Sequence, residues 1–304
     1  GKLCCQKITI REHFFNLKPE YHLIDADCAR TYLPKRQPDD YKNCFGHLAV
    51  LCGNSGTMGA AVLASHGAIK TGLGLLTAAL PKSEQNVFLS RVPELMTYPR
   101  EDISADWLTH FDAVVVGCGL GRCLKQWNDI ENLLRDVNIP AVIDADGFYG
   151  ISNWQSLHLE NLVLTPHPGE FVQLSGYKKP KCNLERIAQG ISFVEKYPTT
   201  LVLKGAPTLV FSREGEIFIN STGNVGMATA GSGDVLAGIV GGLLAQGLSP
   251  LQSALLGTWL HGKSGDLYRT KHCEESLTAS CLIEYLSQAF RELKQEREKP
   301  SEEN

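Results

Sequence analysis

Short apolar runs alternate with amphipathic stretches along most of the chain. The runs are apolar over nearly their whole length and end at glycine, proline or charged residues, a pattern typical of strands that are buried on both faces. We predict strands at 47–53, 75–81, 111–117, 140–146, 161–166 and 199–205. A hairpin is predicted from 208–212 and 216–220, with its turn at 213–215.

Helices are predicted between these strands and in the last third of the chain, at 60–72, 124–137, 183–197, 234–246, 250–270 and 275–293. Buried strands separated by helices favour a doubly wound α/β fold, a mostly parallel sheet with helices on both faces. We interpret residues 1–42 as an N-terminal arm or linker remnant and 43–293 as one domain. The charged tail at 294–304 is expected to be disordered.

Composition narrows the possible function classes. The 304 residues are enough for a full core, and the formal net charge of −4 comes with no basic stretch suited to nucleic acid. The longest apolar run, 235–245, is shorter than the ~20 residues that cross a membrane. Residues 1–30 lack the apolar stretch of a secretory signal. We therefore expect a soluble cytoplasmic protein.

The ten cysteines include no Cys-x-x-Cys pair, and several lie inside apolar runs. We interpret them as small buried apolar residues in a reducing compartment, with a metal or catalytic thiol as the alternative.

Two glycine loops follow predicted strands. The loop 53–59, "GNSGTMG", lets the backbone approach a ligand and offers helix amides to an anion. It lacks the Gly-Lys-Ser/Thr of a Walker A loop, and a tight turn is the alternative. The loop 117–121, "GCGLG", has Arg122 where a dinucleotide fingerprint needs its third glycine. Close approach of its backbone to some ligand is favoured over a true Rossmann site.

The stretch 229–245, "TAGSGDVLAGIVGGLLA", leads a third small-residue loop into an apolar helix. Its amides can form an anion hole strengthened by the helix dipole, with Asp234 as a base beside it. The alternatives are that Asp234 is only a helix-terminus acid and that Ser232 caps the helix. Glycines inside the helix cost ~1 kcal/mol each, which predicts another element packed close against it. The predicted anion hole consists of Ala230, Gly231, Ser232 and Gly233.

"TPHPGEF" at 165–171 places His167 between two prolines at the carboxyl end of a predicted strand. Open α/β sheets bind ligands at that edge. The alternative is a histidine that only hydrogen-bonds the backbone, and Glu170 could be only a first-turn helix acid. Lys204 likewise ends a predicted strand.

Four stretches in order, 53–74, 114–122, 164–171 and 224–238, resemble the ADP/ATP-dependent NAD(P)H-hydrate dehydratases. The resemblance runs from about residue 42 to about residue 285. It implies a ribokinase-like fold and a metabolite-repair reaction. In that reaction a hydroxyl of the S epimer of hydrated NADH or NADPH is phosphorylated, and phosphate is then eliminated.

The resemblance also implies roles for residues. Asp234 is the catalytic base, and it binds the hydrated dinucleotide together with Ala60, Gly119 and His167. Glu170 helps organise Mg²⁺ through water, and a homo-oligomer is expected. The residues implied to bind ADP or ATP are Lys204, Gly205, Ala206, Pro207, Thr208 and Gly233.

The sequence departs from the family pattern at two points. Cys118 stands where proline is common, and residues 1–42 are too short for the epimerase domain that many members carry. Two rival functions stay open. A ribokinase-like kinase of a small vitamin-type alcohol would share the anion hole and Asp234, and a non-catalytic dinucleotide-binding protein would need only the glycine loops.

Overall fold

The computed structural model describes residues 21–295. Residues 1–20 of the predicted arm and residues 296–304 of the predicted tail lie outside the described part. Ten strands form one sheet in the order β1-β10-β9-β8-β7-β6-β5-β2-β3-β4. They are β1 (Tyr21–Ile24), β2 (His47–Leu51), β3 (Leu75–Leu80), β4 (Met96–Pro99), β5 (Ala113–Val116), β6 (Ala141–Ile143), β7 (Leu162–Leu164), β8 (Thr200–Leu203), β9 (Leu209–Phe211) and β10 (Ile217–Asn220).

The sheet is parallel from β8 to β4, and only β9 runs antiparallel to its neighbours, through its pairings with β8 and β10. The predicted hairpin is therefore confirmed, as is the α/β fold with a mostly parallel sheet. The connecting helices are α1 (Ala26–Thr31), α2 (Met58–Ile69), α3 (Gln85–Leu89), α4 (Ala105–Leu108), α5 (Leu124–Asp136), α6 (Gly147–Gly150), α7 (Pro168–Ser175), α8 (Asn183–Lys196), α9 (Ser232–Ala245), α10 (Pro250–Arg269) and α11 (Ala279–Gln295).

Two hydrophobic cores lie on opposite faces of the sheet. One packs α2, α9, α10 and α11 against it, and the other packs α5 and α8. Residues alternate between the two cores along the inner strands, as Val115 and Val116 do in β5. This explains why these strands are apolar throughout, since both of their faces are covered.

The glycines of α9 allow very close helix packing, as predicted. A Cβ at Gly238 would lie 1.9 Å from the carbonyl oxygen of Ala64 in α2, and one at Gly242 would lie 2.8 Å from that of Ala68. Alanine at either position would force the two helices apart. The N-terminus of α9 is thereby held against the sheet at the edge where β5 and β6 end.

The described part of the predicted arm, residues 21–42, packs against the predicted domain. β1 pairs in parallel with β10, and α1 follows it onto the core. β1 and β4 were not predicted, because both are four-residue edge strands with few fully buried positions and so lack an apolar run. Residues 294 and 295 of the predicted tail end α11.

The cysteines only partly follow the prediction. Cys52 and Cys118 are buried, whereas Cys44, Cys123, Cys182 and Cys273 are exposed, and all eight described cysteines are free. The exposed ones lie in loops or at helix starts, where apolar neighbours do not cover them. Within residues 21–295, no helix is both long and apolar enough to cross a membrane.

Candidate active site

The carboxyl ends of four neighbouring parallel strands bring two predicted site residues, His167 and Lys204, to one edge of the sheet together with Cys118 and Asp144. Cys118 follows β5, Asp144 follows β6, His167 follows β7 and Lys204 follows β8. The N-terminus of α9 faces the same edge. A Cβ at Gly233 would lie 3.1 Å from Lys204 Nζ and 3.6 Å from Asp144 Oδ2.

Lys204 is the cation at the centre of this edge. Its Nζ lies 2.9 Å from Asp144 Oδ1 and 3.7 Å from Glu170 Oε2. Burial lowers the pKa of Lys204, but the charges of Asp144 and Glu170 outweigh that effect and leave the pKa raised. Lys204 therefore stays an ammonium ion and offers a fixed positive charge beside the start of α9.

Asp144 was missed by the sequence analysis. Its side chain is 2% exposed, and Oδ1 accepts hydrogen bonds from Lys204 Nζ and, at 2.8 Å, from Thr165 Oγ1. The Cys118 thiol donates to Oδ2 at 3.7 Å. An acid directly after a buried strand, as in "AVID" at 141–144, was the available signal, because that position reaches the ligand-binding edge.

Asp234 lies in the first turn of α9 and is half-buried. One of its carboxylate oxygens, one from Asp144 and the Cys118 sulfur all lie within 4.8 Å of one another. Burial, followed by the negative charge of Asp144, raises the pKa of Asp234 to about 6, against the lowering effects of Cys118 and Lys204. A carboxylate with this pKa can accept a proton near neutral pH, as a general base must.

The amides at the start of α9 differ in one respect from the predicted anion hole. The Ser232 amide donates to Thr229 O at 3.3 Å, so it is already used. Within residues 21–295, the amides of Ala230, Gly231, Gly233 and Asp234 meet no acceptor within hydrogen-bond distance. The N-cap is Gly231, with a left-handed φ of 85°, rather than Ser232.

Ser232 instead contacts a residue that the sequence analysis did not single out. Its hydroxyl lies 3.3 Å from Nε2 of His261, a buried residue of α10. Burial lowers the pKa of His261 to about 4, so the imidazole is neutral at physiological pH. The contact fixes the serine hydroxyl at the start of α9 without adding charge.

His167 and Glu170 form a capping box at the start of α7. His167 Nδ1 accepts from the amides of Gly169 and Glu170, and Glu170 Oε2 accepts from the His167 amide at 2.7 Å. His167 Nε2 lies 3.2 Å from Glu170 Oε1, and the imidazole remains 54% exposed. Burial raises the pKa of Glu170, and Lys204 partly offsets this. The backbone-binding alternative thus holds for His167, while its exposed ring stays open to a ligand.

The first two glycine loops lie side by side. Thr57 Oγ1 donates to Gly119 O at 2.6 Å, and the Gly53 amide donates to Cys118 O at 2.7 Å. A Cβ at Gly119 would lie 2.8 Å from the Cβ of Ala60. The structure therefore brings Ala60 and Gly119 together, next to Cys118 and the carboxylates.

Hydrogen bonds from Arg186 hold the loop from Lys204 to Thr208 in place. Arg186 of α8 donates through Nη2 to the carbonyl oxygens of Leu203, Lys204 and Pro207, at 3.2–3.4 Å. The Ala206–Pro207 peptide is cis, and Gly205 and Ala206 are exposed. Like Asp144 and His261, Arg186 was not singled out by the sequence analysis, because the carbonyl oxygens that it contacts belong to a distant segment.

Comparison with known proteins places this geometry in a family. Residues 48–288 match the family model for NAD(P)H-hydrate dehydratase. The chain belongs to the NAD(P)H-hydrate dehydratase family. An ADP-dependent (S)-NAD(P)H-hydrate dehydratase of Neisseria meningitidis is 37% identical over 77% of this chain and 81% of its own length. A bifunctional NAD(P)H-hydrate repair enzyme of Moorella thermoacetica is 35% identical over 96% of the chain but only 57% of its own length. The chain thus spans little more than half of that relative.

Solved structures agree on the fold of the family. A ribokinase-like superfamily protein of Enterococcus faecalis superposes with a TM-score of 0.81 at 26% identity, covering 91% of this chain and 98% of its own. A Bacillus subtilis ADP/ATP-dependent NAD(P)H-hydrate dehydratase, co-crystallised with ATP and Mg²⁺, gives 0.78 at 24% identity, covering 90% and 98%. The predicted ribokinase-like fold is confirmed.

The cluster of Cys118, Asp144 and Asp234 does not suit a magnesium ion. A hydrogen bond with Cys52, burial and the neighbouring carboxylates raise the pKa of the Cys118 thiol well above its ordinary value, and Mg²⁺ prefers oxygen ligands. Lys204 already neutralises Asp144. Glu170 offers hard carboxylate oxygens beside Lys204, a donor type that fits Mg²⁺ held through water.

Proposed function

We propose that the protein catalyses the nucleotide-dependent dehydration of the S epimer of hydrated NADH and NADPH. The observation that carries the proposal is the setting of Asp234, a half-buried carboxylate whose pKa is raised by burial to about 6. It lies at the start of α9, near amides that meet no acceptor within residues 21–295 and near the ammonium group of Lys204. The family match and the 37% identity to an ADP-dependent relative support the substrate and the nucleotide.

The proposed reaction has two steps. In the first step, Asp234 takes the proton of the hydrate hydroxyl while the hydroxyl oxygen attacks the terminal phosphorus of ADP or ATP. The nucleotide then leaves without its terminal phosphoryl group. Phosphate then departs with the electrons of the carbon–oxygen bond, and a proton leaves the neighbouring ring carbon, which restores the double bond. Phosphoryl transfer needs positioned positive charge and amides more than covalent chemistry, and this edge of the sheet supplies both.

Two subsites meet at Asp234 in this proposal. The loop from Lys204 to Thr208 and the Gly233 amide bind the adenine nucleotide, while Ala60, Gly119 and His167 bind the hydrated dinucleotide. The distances support the division, because Lys204 lies beside Gly233, whereas Ala60 lies beside Gly119. Glu170 would hold Mg²⁺ through water. When bound, Mg²⁺ supplies charge that neutralises the nucleotide phosphates.

The test is turnover of hydrated NADH with ADP or ATP in the presence of Mg²⁺, followed by the return of the absorbance of the reduced nicotinamide. Wild-type protein should restore it and release inorganic phosphate, and Asp234→Asn should not. A phosphorylated alcohol that accumulates without elimination would indicate a kinase. Nucleotide and hydrate binding without consumption of either would indicate a non-catalytic binding protein.

Two further parts of the proposal rest on the sequence, the first on the family resemblance and the second on composition. A homo-oligomer is expected, and light scattering that gives the mass of one 33.3 kDa chain would contradict it. A cytoplasmic location is also expected, and fractionation of the source cells would test it.

A further inference from the structure

Cys118 lies at the floor of the site, where its thiol faces both carboxylates. The side chain is 0% exposed. Its sulfur lies 3.7 Å from Asp144 Oδ2, and it shares with Asp144 and Asp234 the cluster in which the three atoms lie within 4.8 Å of one another. A carboxylate oxygen of Asp234 is therefore a second acceptor close to this thiol.

The thiol stays protonated in this position. A hydrogen bond with Cys52, burial and the carboxylates raise the pKa of the Cys118 thiol well above its ordinary value. It therefore brings one S–H donor to two carboxylates that would otherwise face each other. The neighbouring cation, Lys204, binds Asp144 through Oδ1, the oxygen that also accepts from Thr165. Oδ2 is left to the thiol.

We propose that Cys118 is a positioning residue for the base. Its single S–H group donates to Asp234 while that carboxylate is ionised. Once Asp234 has taken up the substrate proton, the S–H group turns to Asp144 Oδ2. The inference rests on the proposed role of Asp234. No bond is broken in this step, because rotation about the Cβ–Sγ bond moves the donor between two acceptors.

The charged and titratable groups that face Asp234 are Asp144 and Glu170, which raise its pKa, and Lys204 and Cys118, which lower it. Loss of the thiol removes one of the two lowering contributions. Cys118→Ala should therefore raise the pKa of Asp234 by about half a pH unit or more, the scale of one weak hydrogen bond. Cys118→Ser keeps a donor and should leave the pKa at or below that of the wild type.

The direct test is a carbon-13 NMR titration of labelled aspartate carboxyl groups, with Asp234 assigned by its absence in Asp234→Asn. Cys281→Ala is the control, since Cys281 is a partly buried thiol of α11 whose sulfur contacts Thr278 Oγ1, at 3.2 Å, rather than a carboxylate. It should leave the Asp234 titration unchanged. Thermal melting of each variant checks that it is folded.

The pH dependence of kcat is the second test. The acidic limb of the kcat profile should move to higher pH in Cys118→Ala and lie at the wild-type pH in Cys118→Ser. The KM values for the hydrate and for the nucleotide should stay within about twofold of the wild type. An unshifted Asp234 titration in Cys118→Ala, or a raised one in Cys118→Ser, would overturn the positioning role. If the wild type shows no turnover but the titrations shift as stated, the proposed function fails and the role of the thiol stands.

Discussion

Replacing Asp144 with asparagine would test how far one buried carboxylate sets the working pH of another. The substitution keeps the size of the side chain and a carbonyl oxygen for Lys204 and Thr165, but removes a negative charge within 4.8 Å of Asp234. Because that charge raises the pKa of Asp234, its removal should lower the pKa. Asp234 would then be ionised, and able to act as a base, at more acidic pH.

The structure gives the size of the effect. Two unit charges 4.8 Å apart repel by about 3 kcal/mol at an effective dielectric constant near 20. Lys204 cancels much of this repulsion, since it lies 2.9 Å from Asp144. We therefore expect the pKa of Asp234 to fall by about one pH unit, from about 6, the low end of shifts caused by a nearby charge. Near pH 5.5 the ionised fraction would rise from about one quarter to about three quarters.

The assay is kcat measured from about pH 5 to about pH 8 with saturating hydrate and nucleotide. Asp144→Asn should lower the plateau, since Lys204 loses its charged partner, but its ratio of kcat near pH 5.5 to kcat near pH 7.5 should rise about threefold. Asp129→Asn, which removes a charge from the exposed face of α5, should leave that ratio unchanged. An acidic limb that stays at the wild-type pH in Asp144→Asn would refute the reasoning.

Four further substitutions separate the proposed functions of the site residues. Asp234→Asn should bind both ligands nearly normally yet lose at least ~100-fold in kcat, the scale of a positioned acid–base group, and near-normal turnover would exclude it as the base. Gly233→Val would place its side chain against Lys204 Nζ, 3.1 Å from the new Cβ, and should weaken nucleotide binding in calorimetry; unchanged affinity would put the anion site elsewhere. Lys204→Ala should raise KM for the nucleotide about 10- to 100-fold and His167→Ala should raise KM for the hydrate, so damage by both to the same substrate alone would contradict the two subsites.

The strands of the sheet interior could be predicted because burial on both faces leaves an apolar run with no alternation. β1 and β4 could not, since an edge strand of four residues is only partly covered. The glycines of α9 were also informative, because they too reflect close packing in the interior. A glycine in a helix interior costs stability, and the 1.9 Å distance that a Cβ at Gly238 would have from Ala64 O explains why it is there.

The site was predictable where the local sequence itself makes the ligand-binding feature, as in the glycine loops and the start of α9. It was not predictable where function depends on pairing between distant segments. Asp144 and Lys204 are 60 residues apart in sequence, and His261 reaches Ser232 from the next helix. Arg186 binds three carbonyl oxygens of residues 203–207, and no sequence motif indicates such contacts.

Lys204 connects the two halves of the proposed chemistry. Its ammonium group has three N–H donors; one binds Asp144, and a second is directed toward Glu170 at 3.7 Å. A donor therefore remains for the side where a Cβ at Gly233 would lie 3.1 Å away, which is where the nucleotide phosphates are proposed to bind. A phosphate placed there would share the charge of Lys204 with Asp144, and Asp144 would then repel the ionised Asp234 more strongly. Arrival of the nucleotide should thus raise the proton affinity of the base at the moment when it has to accept the substrate proton.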